Sequence, residues 1–568
     1  MSKDNALVPL TIKLSTNVSK NLGHLSGRKG LTENLFEELG VIAARQGTVP
    51  AEEMQRLAEE FLLGKANLYG SITFYDFLKP ENQGKKVYVC NGSACLTAGT
   101  QDKLTQQLAQ HFDTSEIGTM CCLGRCHENS AFHFAGRNFS GKAAEQLDAV
   151  TAGQADGHDH YLVSAFGTPV LTAEFPGLPT YLQLLQQCLS RSPEELLAEI
   201  KTSGLRGRGG AGFPMGLKLE SCKNSPGQRK FIVCNADEGD PGAYSDRYIM
   251  EQRPHSLLLG MLLSGYVVGA NTGVLYIRAE YPESIATIAQ AIDEMRMAGF
   301  LGDNIADSGF SYDFKIIKAQ GAYICGEETA LLNSIEGQRP EVRTRPPYPT
   351  QQGLFNLPTV VNNVETLANL PFILAHGGAR FAAIGRGRST GTKLLCLDGH
   401  FRRPGLCEVD FGTPLRTVID ELGGGFRHPV KALHIGGPLG GLIPVTRIDD
   451  LSVDFESFSQ NGFLLGHGSI VCLPQDFPMA QYLEHLFEFT AHESCGKCFP
   501  CRLGSTRGAE MLAKARQGNY RISRSLFNDL LETMEIGSLC ALGGGLPLPV
   551  KNALYYFREE MESVMSDE

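Results

Sequence analysis

Three cysteines stand with two residues between successive members in ESCGKCFPC, at Cys495, Cys498 and Cys501, and Cys540 is the only later cysteine able to complete a set of four. A loop this tight brings three thiolates to one face of a cube, a ligand arrangement common at 4Fe-4S clusters. Buried reduced thiols account well for isolated residues such as Cys188 or Cys396, but badly for a regular triplet. A second set lies nearer the N-terminus: Cys90 and Cys95 in CNGSAC, Cys122 and Cys126 in CLGRC. Four thiolates accept either zinc or an iron-sulfur cluster, and spacings looser than those of zinc ribbons favour the cluster. Cys121 adjoins Cys122, and because neighbouring side chains point apart, only one of the two is expected to bind.

Disulfides explain sixteen cysteines poorly in a reducing compartment. The opening MSKDNALVPLTIKLSTN has neither an apolar core nor a small-residue cleavage site, so a cytoplasmic location is expected. A formal charge of -11 repels phosphate backbones and anionic lipid heads, which argues against nucleic acid or a membrane surface as partner. The most apolar stretch, Leu257 to Ala270, is shorter than the roughly 20 residues that span a bilayer, and is expected to be a buried helix.

At 568 residues the chain needs several cores, and an α/β multidomain organisation follows from its patterning. Residues 1–80 read as an N-terminal helical segment. Residues 81–150 alternate short strands (KVYVC, SAFHFAG) with the helix-like QDKLTQQLAQHF around the first cysteine set. Residues 151–180, opening on TAGQADGHDH, read as a linker. Residues 181–375 alternate helices with β-branched strands such as FIVCNA and GVLYIRA, the pattern of a helix-covered sheet and the expected seat of the main core. Residues 376–475 form a small α+β module, and residues 476–568 read almost entirely helical.

The segment GLRGRGGAGF places Gly207, Gly209 and Gly212 in the spacing that lets backbone amides approach a phosphate. The preceding SPEELLAEIKTS looks helical, so the ordinary strand-turn-helix dinucleotide reading is rejected. Two further Gly-rich loops, NADEGDPGAYSDR and GAYICGEETALL, carry carboxylates, and VVNNVET supplies amides. A carboxylate beside a ribose accepts hydroxyl hydrogen bonds and disfavours a 2′-phosphate, which argues for NADH over NADPH.

Together GLRGRGGAGFPMGLK, CNADEGDPG, GAYICGEETAL, NNVETLANLP and ESCGKCFPC resemble, in order, the NADH-binding flavoprotein subunit of complex I and of soluble NAD-linked hydrogenases and formate dehydrogenases. Residues 28–150 are similar to the family's thioredoxin-like 2Fe-2S subunit, here fused ahead of the flavoprotein. The resemblance implies a thioredoxin-like 2Fe-2S domain, an α/β FMN-binding domain, a β-grasp-like α+β domain and a C-terminal helical bundle with a 4Fe-4S cluster. It implies that Gly207, Arg208, Gly209, Gly210 and Lys218 hold the FMN phosphate side. Asn235, Asp237, Glu238, Tyr323, Gly326, Glu327, Asn362, Asn363 and Thr366 would complete the flavin site. NAD(H) would stack near Phe213 and Tyr348, with Lys218, Asp240 and Glu328 on its polar parts. Ser221 stands where many relatives carry an aromatic, and Asp240 where complex I often carries Glu.

The implied activity is hydride exchange between NAD(H) and FMN with single-electron transfer through the clusters, no catalytic protein nucleophile being needed. The wording GDPGAYSDR is closer to the hydrogenase and formate dehydrogenase branch, so the expected partners are other iron-sulfur subunits and a catalytic formate dehydrogenase, with a hydrogenase next and complex I third. A non-catalytic electron-relay or assembly subunit is the competing reading.

Overall fold

The computed structural model describes residues 31, 34–155, 157, 159–518 and 520–566. The opening segment used above to argue against an export signal lies outside them. Strands β1 (Val87–Cys90), β2 (Ile117–Met120), β3 (Phe132–Phe134) and β4 (Arg137–Phe139) form a sheet in the order β2-β1-β3-β4. β1 pairs parallel with β2 and antiparallel with β3, and the helix Gln101–Leu108 lies between β1 and β2 in the chain, as a thioredoxin-like layer requires. Both cysteine pairs of this region follow its strands: Cys90 ends β1, and Cys122 comes two residues after β2.

The chain then makes β5 (Leu162–Phe166), inside the segment expected to be a linker. That expectation is corrected: residues 162–166 pair parallel with a strand more than two hundred residues later. A strand paired so far along the chain carries no local periodic signal, because its own side chains are mostly exposed at a sheet edge. The helix Leu178–Leu189 also begins within the expected linker.

The central sheet is wholly parallel, in the order β8 (Asp313–Lys318), β7 (Thr272–Ile277), β6 (Phe231–Ala236), β9 (Thr359–Asn363). Its strands read as near-continuous apolar runs because both faces are covered. Ile232, Cys234, Leu275, Ile277 and Val360 point into one core with the helix Pro254–Val268, whose side chains are nearly all buried, as expected for Leu257 to Ala270. Phe231, Val233, Val274, Tyr276 and Val361 point to the other. That second face is closed by the N-terminal helices Leu35–Gln46, Ala51–Glu60 and Lys65–Ile72. Tyr75 and Tyr276 both reach the Ser334 hydroxyl, at 2.8 and 2.7 Å, joining the N-terminal unit to the sheet.

After a short hairpin of β10 (Gly385–Arg386) and β11 (Ser389–Thr390), a six-stranded mixed sheet follows. Its order is β15 (Gly441–Pro444), β14 (Val430–Ile435), β16 (Ser469–Pro474), β12 (Thr392–Leu397), β13 (Gly405–Asp410), β5. The helices Met479–Glu493, Phe499–Arg516, Arg524–Gly537 and Pro547–Tyr556 form the C-terminal bundle around Leu483, Leu486, Leu512, Leu531 and Val550. Among the described residues no helix is long and apolar enough to cross a membrane.

Candidate functional site

The carboxyl ends of β6 and β9 open onto two adjoining cavities of about 700 and about 370 Å³. Ligands of open α/β sheets bind at this end, where loops from neighbouring strands diverge. The glycine loop forms one wall. It follows the helix Pro193–Ser203, which starts with a Ser192–Glu195 capping box, so a helix and not a strand precedes it. The Gly207 amide closes the loop on the Phe213 carbonyl at 2.8 Å. A Cβ at Gly209 would come within 2.9 Å of the Asn363 Cβ, so only glycine lets these walls approach.

Gly207, Gly209, Phe213, Lys218, Asn235, Gly326, Glu327, Glu328, Tyr348, Asn362, Asn363 and Thr366 line the larger cavity. Gly210, Asp237, Glu238, Asp240 and Tyr323 line the smaller one. Arg208 lines neither. Its guanidinium is buried over the Phe411 ring and donates to the carbonyls of Arg206 at 3.0 Å and Thr390 at 2.7 Å. Its side chain thus faces away from both cavities. Adjacent loop residues point opposite ways, and the backbone amide of Arg208 is itself taken by the Thr366 hydroxyl at 2.8 Å.

Several polar groups hold the loops in place. Asn235 donates to the Gly326 carbonyl at 2.8 Å, and Asn363 to Asp246 at 2.5 Å. The Glu238 carboxylate accepts from the amides of Asp246 at 2.9 Å and Arg247 at 3.1 Å, so it caps the helix Ser245–Gln252. Burial pushes the Glu238 and Asp237 carboxyls up, Asp237 well above the usual range. Two buried atoms on the cavity walls, Asp237 Oδ2 and Asn362 Nδ2, have no hydrogen-bond partner among the described residues. One acceptor and one amide donor left open at a sheet end fit a flat heteroaromatic ligand with donors and acceptors on its edge.

Sequence reasoning missed His467, Asp246 and Arg345. His467 Nε2 lies 3.1 Å from Asp240, whose other oxygen accepts from Tyr323 at 2.9 Å. Burial alone would lower this imidazole's pKa, but Asp240 and Glu238 raise it above 6.5. His467 precedes β16 in the later sheet, so only tertiary packing brings it here.

The two thiol sets are reduced and mostly buried, with no disulfide among them. Cys122 and Cys126 have their Sγ atoms 3.4 Å apart, and the amides of Gly124 and Gly242 point at them from 3.4 and 3.3 Å. In the second set the Ser494 hydroxyl lies 3.3 Å from the Cys501 sulfur. Burial pushes the thiols of Cys501 up to about 11 and Cys540 up to about 12. Cys540 also lines both cavities.

Residues 200–372 match the family model for the Nuo51 FMN-binding domain. Residues 481–564 match the NADH-ubiquinone oxidoreductase-F iron-sulfur binding region, and residues 25–153 the thioredoxin-like [2Fe-2S] ferredoxin. The chain is 42% identical over 386 residues to the NADP-reducing hydrogenase subunit HndC of Solidesulfovibrio fructosivorans, covering 67% of this chain and 78% of that protein. It is also 42% identical over 378 residues to the NADH-quinone oxidoreductase F 2 subunit of Rhizobium meliloti (strain 1021), covering 65% and 88%. The chain belongs to the F-subunit family of NADH-quinone oxidoreductases.

Members of this F-subunit family are oxidoreductases that act on NADH and bind FMN and a 4Fe-4S cluster, and this chain adds a 2Fe-2S domain. The fused architecture is matched by the solved structure of an NAD+-reducing [NiFe]-hydrogenase in the H2-reduced state. That match has a TM-score of 0.82, 28% identity and coverage of 93% of both chains. The F-subunit relatives thus account for the flavoprotein part, and the hydrogenase chain for the fusion.

Proposed function

We propose that this chain is the cytoplasmic diaphorase subunit of a multi-subunit oxidoreductase whose catalytic partner is a formate dehydrogenase. The observation that supports the diaphorase reading is that Cys540, the residue that would complete the second thiol set, lines both cavities. FMN, when bound, supplies conversion between a hydride and single electrons. Gly207, Gly209 and Gly210 would hold its phosphate side by backbone amides, and Asn235, Asp237, Tyr323, Asn362, Asn363 and Thr366 would fix the rest. Phe213 and Tyr348, exposed at the mouth, would flank the coenzyme, with Lys218, Asp240 and Glu328 on its polar parts. Cys90, Cys95, Cys122 and Cys126 would hold the 2Fe-2S cluster; Cys495, Cys498, Cys501 and Cys540 would hold the 4Fe-4S cluster.

The partner assignment rests on GDPGAYSDR. A NAD-linked hydrogenase is the second reading, favoured by the match to both the flavoprotein and fused parts of the hydrogenase chain. In either case Phe499, Leu503, Ile536 and Leu539, close in sequence to Cys498, Cys501 and Cys540, are exposed, and apolar side chains left exposed there would suit another iron-sulfur subunit. The test is affinity purification of the full chain from its own cells, with pigment extraction. FMN, NADH-dependent dye reduction and a co-purifying molybdenum or tungsten subunit are expected. Recovery of FAD, or of no flavin, overturns the diaphorase reading; a nickel-iron subunit replaces the formate dehydrogenase.

A further inference from the structure

The outer cavity wall carries two acidic and two basic side chains that are unevenly paired. Glu327 caps the helix Glu328–Ile335, its Oε2 accepting from the amides of Thr329 and Ala330, both at 2.9 Å. Its charge is therefore satisfied at the helix end. Glu328 is gripped from two sides, by Lys218 at 3.2 Å on Oε2 and Arg345 at 3.2 Å on Oε1. Lys218 is further fixed by the Val361 carbonyl at 3.0 Å. Arg345 engages protein oxygens among the described residues only through Nη1, which also lies 3.8 Å from Glu327. Its partly exposed guanidinium lines the larger cavity near Tyr348 and leaves Nε and Nη2 without a protein acceptor there.

We propose that Arg345 is a second specificity-determining residue for the coenzyme, a counterweight to Glu328 that lets the site tolerate a 2′-phosphate. This rests on the reading above that Glu328 lies on the polar parts of the coenzyme, taken here as the adenosine ribose. A lone carboxylate accepts from the 2′-hydroxyl and repels a phosphate. A guanidinium 3.2 Å away offsets much of that repulsion. Its planar fork also has donors left over, and such a fork suits two phosphate oxygens at once. Discrimination is then set by the pair and not by Glu328 alone.

The experiment compares binding of 5′-AMP and adenosine 2′,5′-bisphosphate to the full cofactor-loaded chain by calorimetry, alongside kcat/KM for NADH and NADPH with an artificial acceptor. Glu328→Gln should shift both ratios toward the 2′-phosphate, and Arg345→Gln should shift both against it, each by about tenfold, with Arg345→Lys recovering part. The visible absorbance of bound flavin reports that each variant has folded. If Glu328→Gln moves the ratios and Arg345→Gln does not, the counterweight is overturned while the ribose placement stands. If neither substitution moves them although both ligands still bind, the ribose placement fails and takes the inference with it.

Discussion

The backbone amide of Gly242 donates to the sulfur of Cys126 at 3.3 Å, so a loop from the carboxyl end of β6 directly touches a candidate ligand of the N-terminal cluster. Around it, Arg247 donates to the Gly124 carbonyl at 2.8 Å and Arg278 to the Cys121 carbonyl at 3.2 Å. The thioredoxin-like layer is therefore held against the loop that also lines the smaller cavity.

Gly242 has φ +105°, and a Cβ there would meet Val471 at 2.7 Å. Gly242→Ala should push the amide off Cys126. Losing a hydrogen bond to a cluster thiolate lowers its potential, so an EPR-monitored titration should show the 2Fe-2S midpoint moving negative while the 4Fe-4S midpoint stays. An unchanged 2Fe-2S potential would show that this contact does not tune the cluster.

The two thiol sets should be separable by mutation. Reduced protein is expected to give two EPR signals, and Cys498→Ala should abolish only the 4Fe-4S one. Cys122→Ser should damage the 2Fe-2S signal far more than Cys121→Ser, since Cys122 lies 3.4 Å from Cys126 and accepts the Gly124 amide. The reverse order would assign the ligand to Cys121.

Gly209→Ala tests the close approach of the two cavity walls. With Asn363 only 2.9 Å from the added carbon, the walls must separate, and overpacking of this kind costs about 1–3 kcal/mol. FMN affinity, read by fluorescence on dilution, should fall by about tenfold or more. Full retention of flavin would mean that FMN does not lie between Gly209 and Asn363.

The pair His467 and Asp240 predicts a pH dependence. Since the imidazole's value is raised above 6.5 in the folded protein, the native state holds this proton more tightly than the unfolded chain. Its contribution is complete below about pH 6.5 and is lost as pH rises through the raised value. Melting temperature should therefore decline from pH 6.5 upward more steeply in the original protein than in His467→Gln. Parallel curves would remove His467 from the account.

The sequence by itself determined the chemistry. Ligand spacing at Cys495, Cys498 and Cys501, the glycine loop at 204–213 and the apolar runs of β6, β7 and β9 are local patterns, readable because turns, helices and doubly covered strands impose short periods. Tertiary structure alone decided which groups face the ligand. It turned Arg208 away onto Phe411, spent Glu238 on a helix end, and brought His467 to Asp240. It also placed β5 at the edge of a sheet whose other strands lie more than two hundred residues on, and seated the N-terminal helices on the central sheet. These outcomes depend on long-range packing and on competition among partners for each charge and hydrogen-bonding group, for which adjacent residues along the chain carry no signal.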